Sequence, residues 1–152
     1  MKKFWKFIIS IVVPFIIAGI GSFFTSSSVG TWYVTLVKPV FNPPSWVFGP
    51  VWTVLYLLMG ISLYMVWIKR VGIKAMIFFG VQLFLNALWS IIFFGLNNPL
   101  YAFIEIILLW FSIVFTIYYF YKIEKTAAYL LIPYLLWVSF AAILNFSIMI
   151  LN

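Results

Sequence analysis

Five runs of about twenty apolar residues, at roughly 5–24, 46–68, 75–96, 100–121 and 127–151, decide what this chain can fold into. An α-helix rises about 1.5 Å per residue, so each run is long enough to cross the ~30 Å hydrocarbon layer of a bilayer. At 67% hydrophobic and 7% charged residues, with a mean hydropathy of +1.23, the 152 residues carry too little polar surface for a soluble monomer. Continuous runs, rather than alternating ten-residue segments, argue for helices over a β-barrel. The expected fold is an all-α integral membrane protein: a five-transmembrane-helix bundle, one membrane domain over 1–152. Between the third and fourth runs stands only Asn97-Asn98-Pro99, a tight turn with proline where a new helix tolerates a missing N–H.

The net charge of +7 would suggest a polyanion in a soluble protein. Here the basic residues are scattered over short segments at the ends of the apolar runs, so no nucleic-acid partner is expected. With five spans, Lys2, Lys3, Lys6, Lys69, Arg70, Lys74, Lys122 and Lys125 fall on one side and Lys38 on the other. The positive-inside rule then places the N-terminus in the cytoplasm, with the first loop and the C-terminus outside, as in a prokaryotic plasma membrane. The start Lys2-Lys3 resembles a signal peptide, but the apolar stretch behind it is longer than the usual h-region. Pro14 and Ala18-Gly19-Ile20-Gly21-Ser22 suit a kinked, closely packed span.

Most reaction chemistry is excluded. There is no His and no Cys, and the only side-chain carboxylates are Glu105 and Glu124. Zinc sites, Ser-His-Asp triads, thiol nucleophiles and paired-carboxylate hydrolysis all need residues that are missing, and no metal-binding residues are picked out. A haem iron finds no His or Cys ligand, and no cofactor is required.

The first loop, 25–45, is unusual. It holds Trp32-Tyr33, Lys38-Pro39 and Pro43-Pro44-Ser45-Trp46, ahead of Gly49-Pro50-Val51-Trp52, where serines and charges would be ordinary. Rings and prolines in place of solvating groups suggest a cap over an apolar pocket. In the third span Gln82, Asn86, Trp89 and Phe93 recur at spacings of four, three and four, on one helix face. The amides either bond neighbouring helices or line a cavity. The fifth span repeats the pattern with Trp137, Ala141 and Asn145, flanked by Phe140. Glu105 lies deep in the fourth span, where a charge costs roughly 2–3 kcal/mol or more, so it is expected to face the bundle interior, as a functional group or as a hydrogen-bond partner. Of the eight Trp and nine Tyr, Trp5, Trp67, Tyr118 and Tyr119 suit an interfacial belt, while Trp32, Tyr33, Trp46, Trp52, Trp89 and Trp137 are the pocket candidates. Ala75, Gly80 and Ala87 are small enough for close approach of a second copy.

Three stretches carry a family resemblance: Trp32-Tyr33 through Lys38-Pro39, Pro43-Pro44 and Trp46-Val47-Phe48-Gly49-Pro50-Val51-Trp52 to Met59-Gly60; Gln82 to Trp89 with Phe93-Phe94-Gly95; and Pro133-Tyr134 with Trp137, Phe140 and Leu144-Asn145. Together they resemble the TspO/translocator protein family, also called tryptophan-rich sensory proteins or peripheral benzodiazepine receptors. The resemblance implies a five-helix bundle, commonly a homodimer, whose first loop covers a cavity for porphyrins and synthetic aromatic ligands. It assigns ligand contact to Tyr33, Trp52, Asn86, Trp89, Trp137 and Phe140, with Trp32 in the cap. Two departures stand out. Leu144-Asn145-Phe146 lacks the tyrosine and the following basic residue of the vertebrate sterol-recognition stretch, so no sterol partner is implied. Lys38-Pro39-Val40-Phe41 replaces the family's Lys-Pro-Ser-Trp, leaving Trp46 as the nearby indole. Two functions follow as expectations: tetrapyrrole binding for transport or sensing, or degradation of porphyrin with light and oxygen, for which Trp52 and Trp137 would be the participating indoles.

Overall fold

The computed structural model describes residues 1–69 and 72–152; Arg70, counted above among the basic residues, lies outside them. Its five spans follow the five apolar runs. The first is α1 (Lys3–Ser28), which takes Pro14 into an unbroken helix and runs four residues past the expected end. Hydroxyls explain the extension: Thr25, Ser26 and Ser27 donate back to carbonyls one turn earlier, at 2.9, 3.1 and 2.7 Å, so their polar groups are satisfied within the helix. The cap therefore starts at Val29 and contains a single helical turn, α2 (Trp32–Thr35).

A 3-10 turn, Ser45–Val47, leads into α3 (Phe48–Lys69). Next comes α4 (Ile73–Ser90), which closes in a π-turn at Ile91–Gly95. Asn97 then takes a left-handed φ of 51°, which asparagine tolerates better than most residues. The Asn98 side chain accepts the Tyr101 N–H at 3.0 Å, and Pro99 opens α5 (Pro99–Tyr121), as the turn sequence anticipates. The last span is divided. A short α6 (Lys125–Tyr129) ends just before α7 (Ile132–Leu151), because Pro133 has no N–H to give to the residue 129 carbonyl and its ring crowds that carbonyl.

Around the bundle the order is α1, α3, α6/α7, α5, α4, and α4 closes back on α1. In hydrocarbon, helix association depends on close packing and interhelical hydrogen bonds rather than on escape from water. The tightest crossing is α1 on α3: a Cβ added at Gly60 would stand 2.9 Å from the Ser10 carbonyl oxygen and 3.0 Å from Ile11 Cα. Toward the same end, Phe79 stacks on Phe120 at 5.6 Å and the Ser62 hydroxyl donates to the Ala127 carbonyl at 2.7 Å. Ala75, at this end, and Ala87, farther along α4, are both buried within the bundle, so of the small residues anticipated for a second copy only Gly80 faces outward.

The lysines gather at this packed end. Lys6 donates to the Trp67 carbonyl at 3.3 Å, Lys69 pairs with Glu124, and Lys122 stands 4.3 Å above the Tyr118 ring. The belt positions Trp67, Tyr118 and Tyr119 all accept a lysine over the ring. The opposite end carries Lys38 and the cap.

Candidate functional site

Beneath the cap the bundle opens into a cavity of about 640 Å³. Its walls come from α1, α3, α4, α5 and α7. Trp52, Trp89 and Trp137 all face it, with Tyr33 at the cap and Asn86 and Asn145 among the polar lining. The rings support one another: Trp52 stacks on Tyr56 at 5.5 Å, Trp89 on Phe93 at 5.0 Å, and Phe48 meets Trp137 edge-on at 6.0 Å. Such contacts hold flat surfaces in fixed planes, which suits a flat apolar ligand.

Polar groups around the cavity are mostly spoken for. The Tyr56 hydroxyl donates to Asn86 Oδ1; Asn86 Nδ2 donates to the Tyr134 hydroxyl at 2.9 Å, which donates in turn to Gln82 Oε1 at 2.8 Å. This line joins α3, α4 and α7 below the cavity. Gln82 thus bonds neighbouring helices and does not line the cavity, whereas Asn86 does both. Asn145 accepts the Trp89 indole N–H at 3.0 Å and donates to the Pro99 carbonyl at 2.8 Å, fixing the Trp89 plane. By contrast, the indole N–H groups of Trp52 and Trp137 have no partner among the described residues. Both of these indoles can donate to a ligand acceptor. Glu105 is buried in α5, off the cavity lining, and neither of its carboxyl oxygens has a hydrogen-bond partner among the described residues.

Three anticipated contacts fall elsewhere. Trp46 points outward, 75% exposed, because the 3-10 turn directs it away from the bundle. Trp32 lies behind the wall, edge-on to Phe93 with the ring centroids 5.5 Å apart, and Phe140 packs between Phe41 of the cap and Trp137. Conversely, the α1 wall was missed: Phe15, Ala18, Ser22 and Thr25 line the cavity. The small-residue run 18–22 is the available signal: small side chains permit close packing and here also make room. On this side Gly19, Ser22, Ser26, Gly49 and Thr53 are exposed, so a slot between α1 and α3 opens the cavity outward.

The cap is braced from within and held to the bundle near its middle. Tyr33 is buried, and its hydroxyl donates to Asn42 at 3.0 Å while Lys38 stands 4.7 Å over its ring; burial raises its pKa, and the Asn42 bond opposes that only in part. From α7, the Asn152 amide accepts the Val37 N–H at 2.9 Å and donates to the Val37 carbonyl at 3.0 Å.

Fold and site together define an integral membrane protein: a five-helix bundle with a ring-walled, loop-covered cavity in one half. The TspO/MBR family model matches residues 10–151, and the chain belongs to that family. It is 49% identical over 151 residues to the tryptophan-rich protein TspO of Archaeoglobus fulgidus, covering 97% of each chain. It is also 37% identical over 121 residues to the tryptophan-rich sensory protein of Cereibacter sphaeroides (80% of this chain, 77% of the relative), and 38% identical over 134 residues to the human translocator protein (85% and 79%).

Proposed function

We propose that the protein binds a flat apolar tetrapyrrole of the porphyrin class in this cavity and serves its transport or sensing. The names translocator protein and tryptophan-rich sensory protein among its relatives support a translocator or sensory role. The observation that carries the ligand class is the convergence of Trp52, Trp89 and Trp137 on one cavity whose amides are already bonded to protein. Rings supply the contact area, and the two free indole N–H groups meet an acceptor on the ligand. The lysine-rich end faces the cytoplasm, the cap faces outward, and two copies associate in the membrane.

A second reading, light-driven oxidation of the bound porphyrin by dioxygen, is favoured by the same two indoles. Both border the ligand space with N–H groups unpaired, and the chain has no acid–base machinery for another kind of catalysis. One experiment tests both readings. Protoporphyrin is titrated into the detergent-solubilised protein in the dark, then illuminated alongside a Trp52→Phe/Trp137→Phe variant and a protein-free control. Saturable binding with a stable spectrum supports transport or sensing. Loss of the porphyrin bands with a new product band in the unmodified protein alone supports degradation, and absence of saturable binding overturns both.

A further inference from the structure

Where the other neighbouring spans meet backbone to backbone, α3 and α7 stay apart and are bridged by rings, Phe48 to Trp137 and Trp52 to Tyr134. Outside that bridge lies a second hollow, a groove of about 570 Å³ on the membrane face. Val51, Val54 and Leu55 of α3 form one side, and Pro133, Leu136 and Trp137 of α7 the other. Its lining is almost wholly apolar, and Val54 and Leu136 are 55% and 65% exposed, toward the hydrocarbon. Trp137 borders both the groove and the inner cavity, so the partition between membrane and cavity is one side chain thick at that point.

We propose that this groove is a membrane-side entrance: an apolar ligand dissolved in the bilayer settles between α3 and α7 and passes Trp137 into the cavity. The occupant is the cavity's own ligand, because the two hollows share a wall and the groove offers nothing that a polar molecule would bond. Passage needs only side chains to turn aside, Trp137 and the rings that bridge α3 to α7 beside it, whereas the tight inner crossing of α1 and α3 would have to separate backbones. The slot between α1 and α3 is the rival route, but hydroxyls and glycines line it, which suits access from the polar side rather than from hydrocarbon.

The inference rests on the ligand reading above, and its test separates the two. The protein is reconstituted in phosphatidylcholine vesicles carrying protoporphyrin, and association and dissociation are followed by porphyrin absorbance. Leu136→Trp and Val54→Trp fill the groove from the lipid side without touching the cavity lining. A blocked passage raises the barrier for both directions, so both rates fall by about tenfold and Kd stays unchanged. Leu136→Ala speeds both rates, and Leu108→Trp, on the lipid face of α5, leaves them alone. Unchanged association in both filled variants, with melting temperatures showing them folded, overturns the entrance and assigns access to the α1–α3 slot. A change in Kd carried by dissociation alone overturns it as well. If the unmodified protein shows no saturable binding, the ligand reading fails and takes the entrance with it.

Discussion

The lysine-bearing half of the bundle and the capped half are made from the same five spans and much the same side chains, yet their helices meet differently. In the lysine-bearing half, α1 and α3 touch at Gly60 and Ser10, and Phe79 lies flat on Phe120. In the capped half the same helices diverge, and Trp52, Trp89 and Trp137 stand in the space between them. Since a lipid tail is as apolar as leucine, composition does not distinguish the two; contact distance does. The packed half holds the bundle together, which leaves the other half free to be hollow.

Gly60→Val tests this division most severely. The added carbon atoms meet backbone that cannot withdraw, so a loss of roughly 2–4 kcal/mol is expected, measured by thermal unfolding in detergent. A loss under about 1 kcal/mol would mean the crossing does not anchor the packed half. Tyr134→Phe, at the boundary between the halves, leaves Asn86 Nδ2 and Gln82 Oε1 unpaired and should cost about 1–2 kcal/mol while reducing porphyrin affinity through a displaced Asn86. Affinity loss without a stability change would place the network wholly on the cavity side.

Asn152→Ala releases the Val37 backbone and should cost under about 1 kcal/mol, with faster amide exchange confined to residues 29–45. Protection unchanged in the cap would show that Tyr33 alone holds it. Tyr33 also gives the cap a pH dependence. Because burial raises its folded-state pKa, its contribution is complete below the unfolded value of about 10 and is lost as pH rises through the folded one. Glu124→Gln should have the smallest effect. Hydrogen bonding to Lys69 lowers the Glu124 pKa, so this contribution is present above the unfolded value and disappears as pH falls through the folded one. Acid titration of unfolding, with and without the substitution, measures it.

The spans could be read from the chain because bilayer thickness dictates their length, and the Asn97-Asn98-Pro99 turn because Pro99 has one comfortable place in a helix. Trp89 and Trp137 were legible because each sits on a face with amides at helical spacing. Facing was harder to read wherever a helix is apolar all round. In α1 nothing marks Phe15 as cavity wall and the small-residue run from Ala18 reads equally well as packing, and in α4 nothing distinguishes the buried Ala75 and Ala87 from the outward Gly80. Trp46 misled for a different reason: its direction depends on the backbone of a short 3-10 turn, which neither hydropathy nor periodicity encodes.

The π-turn at Ile91–Gly95 widens the end of α4 by carrying one residue more than an α-helical path requires. Both Phe93 and its neighbour Phe94 thereby look into the cavity. Removing a single residue from this segment would restore an ordinary helix and turn everything after it by about 100°. Asn97 and Asn98 would then begin α5 on the wrong bearing, and Pro99 would no longer present its carbonyl to Asn145. The shape of the cavity is thus written partly as chain length, in one surplus residue that no side-chain substitution can supply.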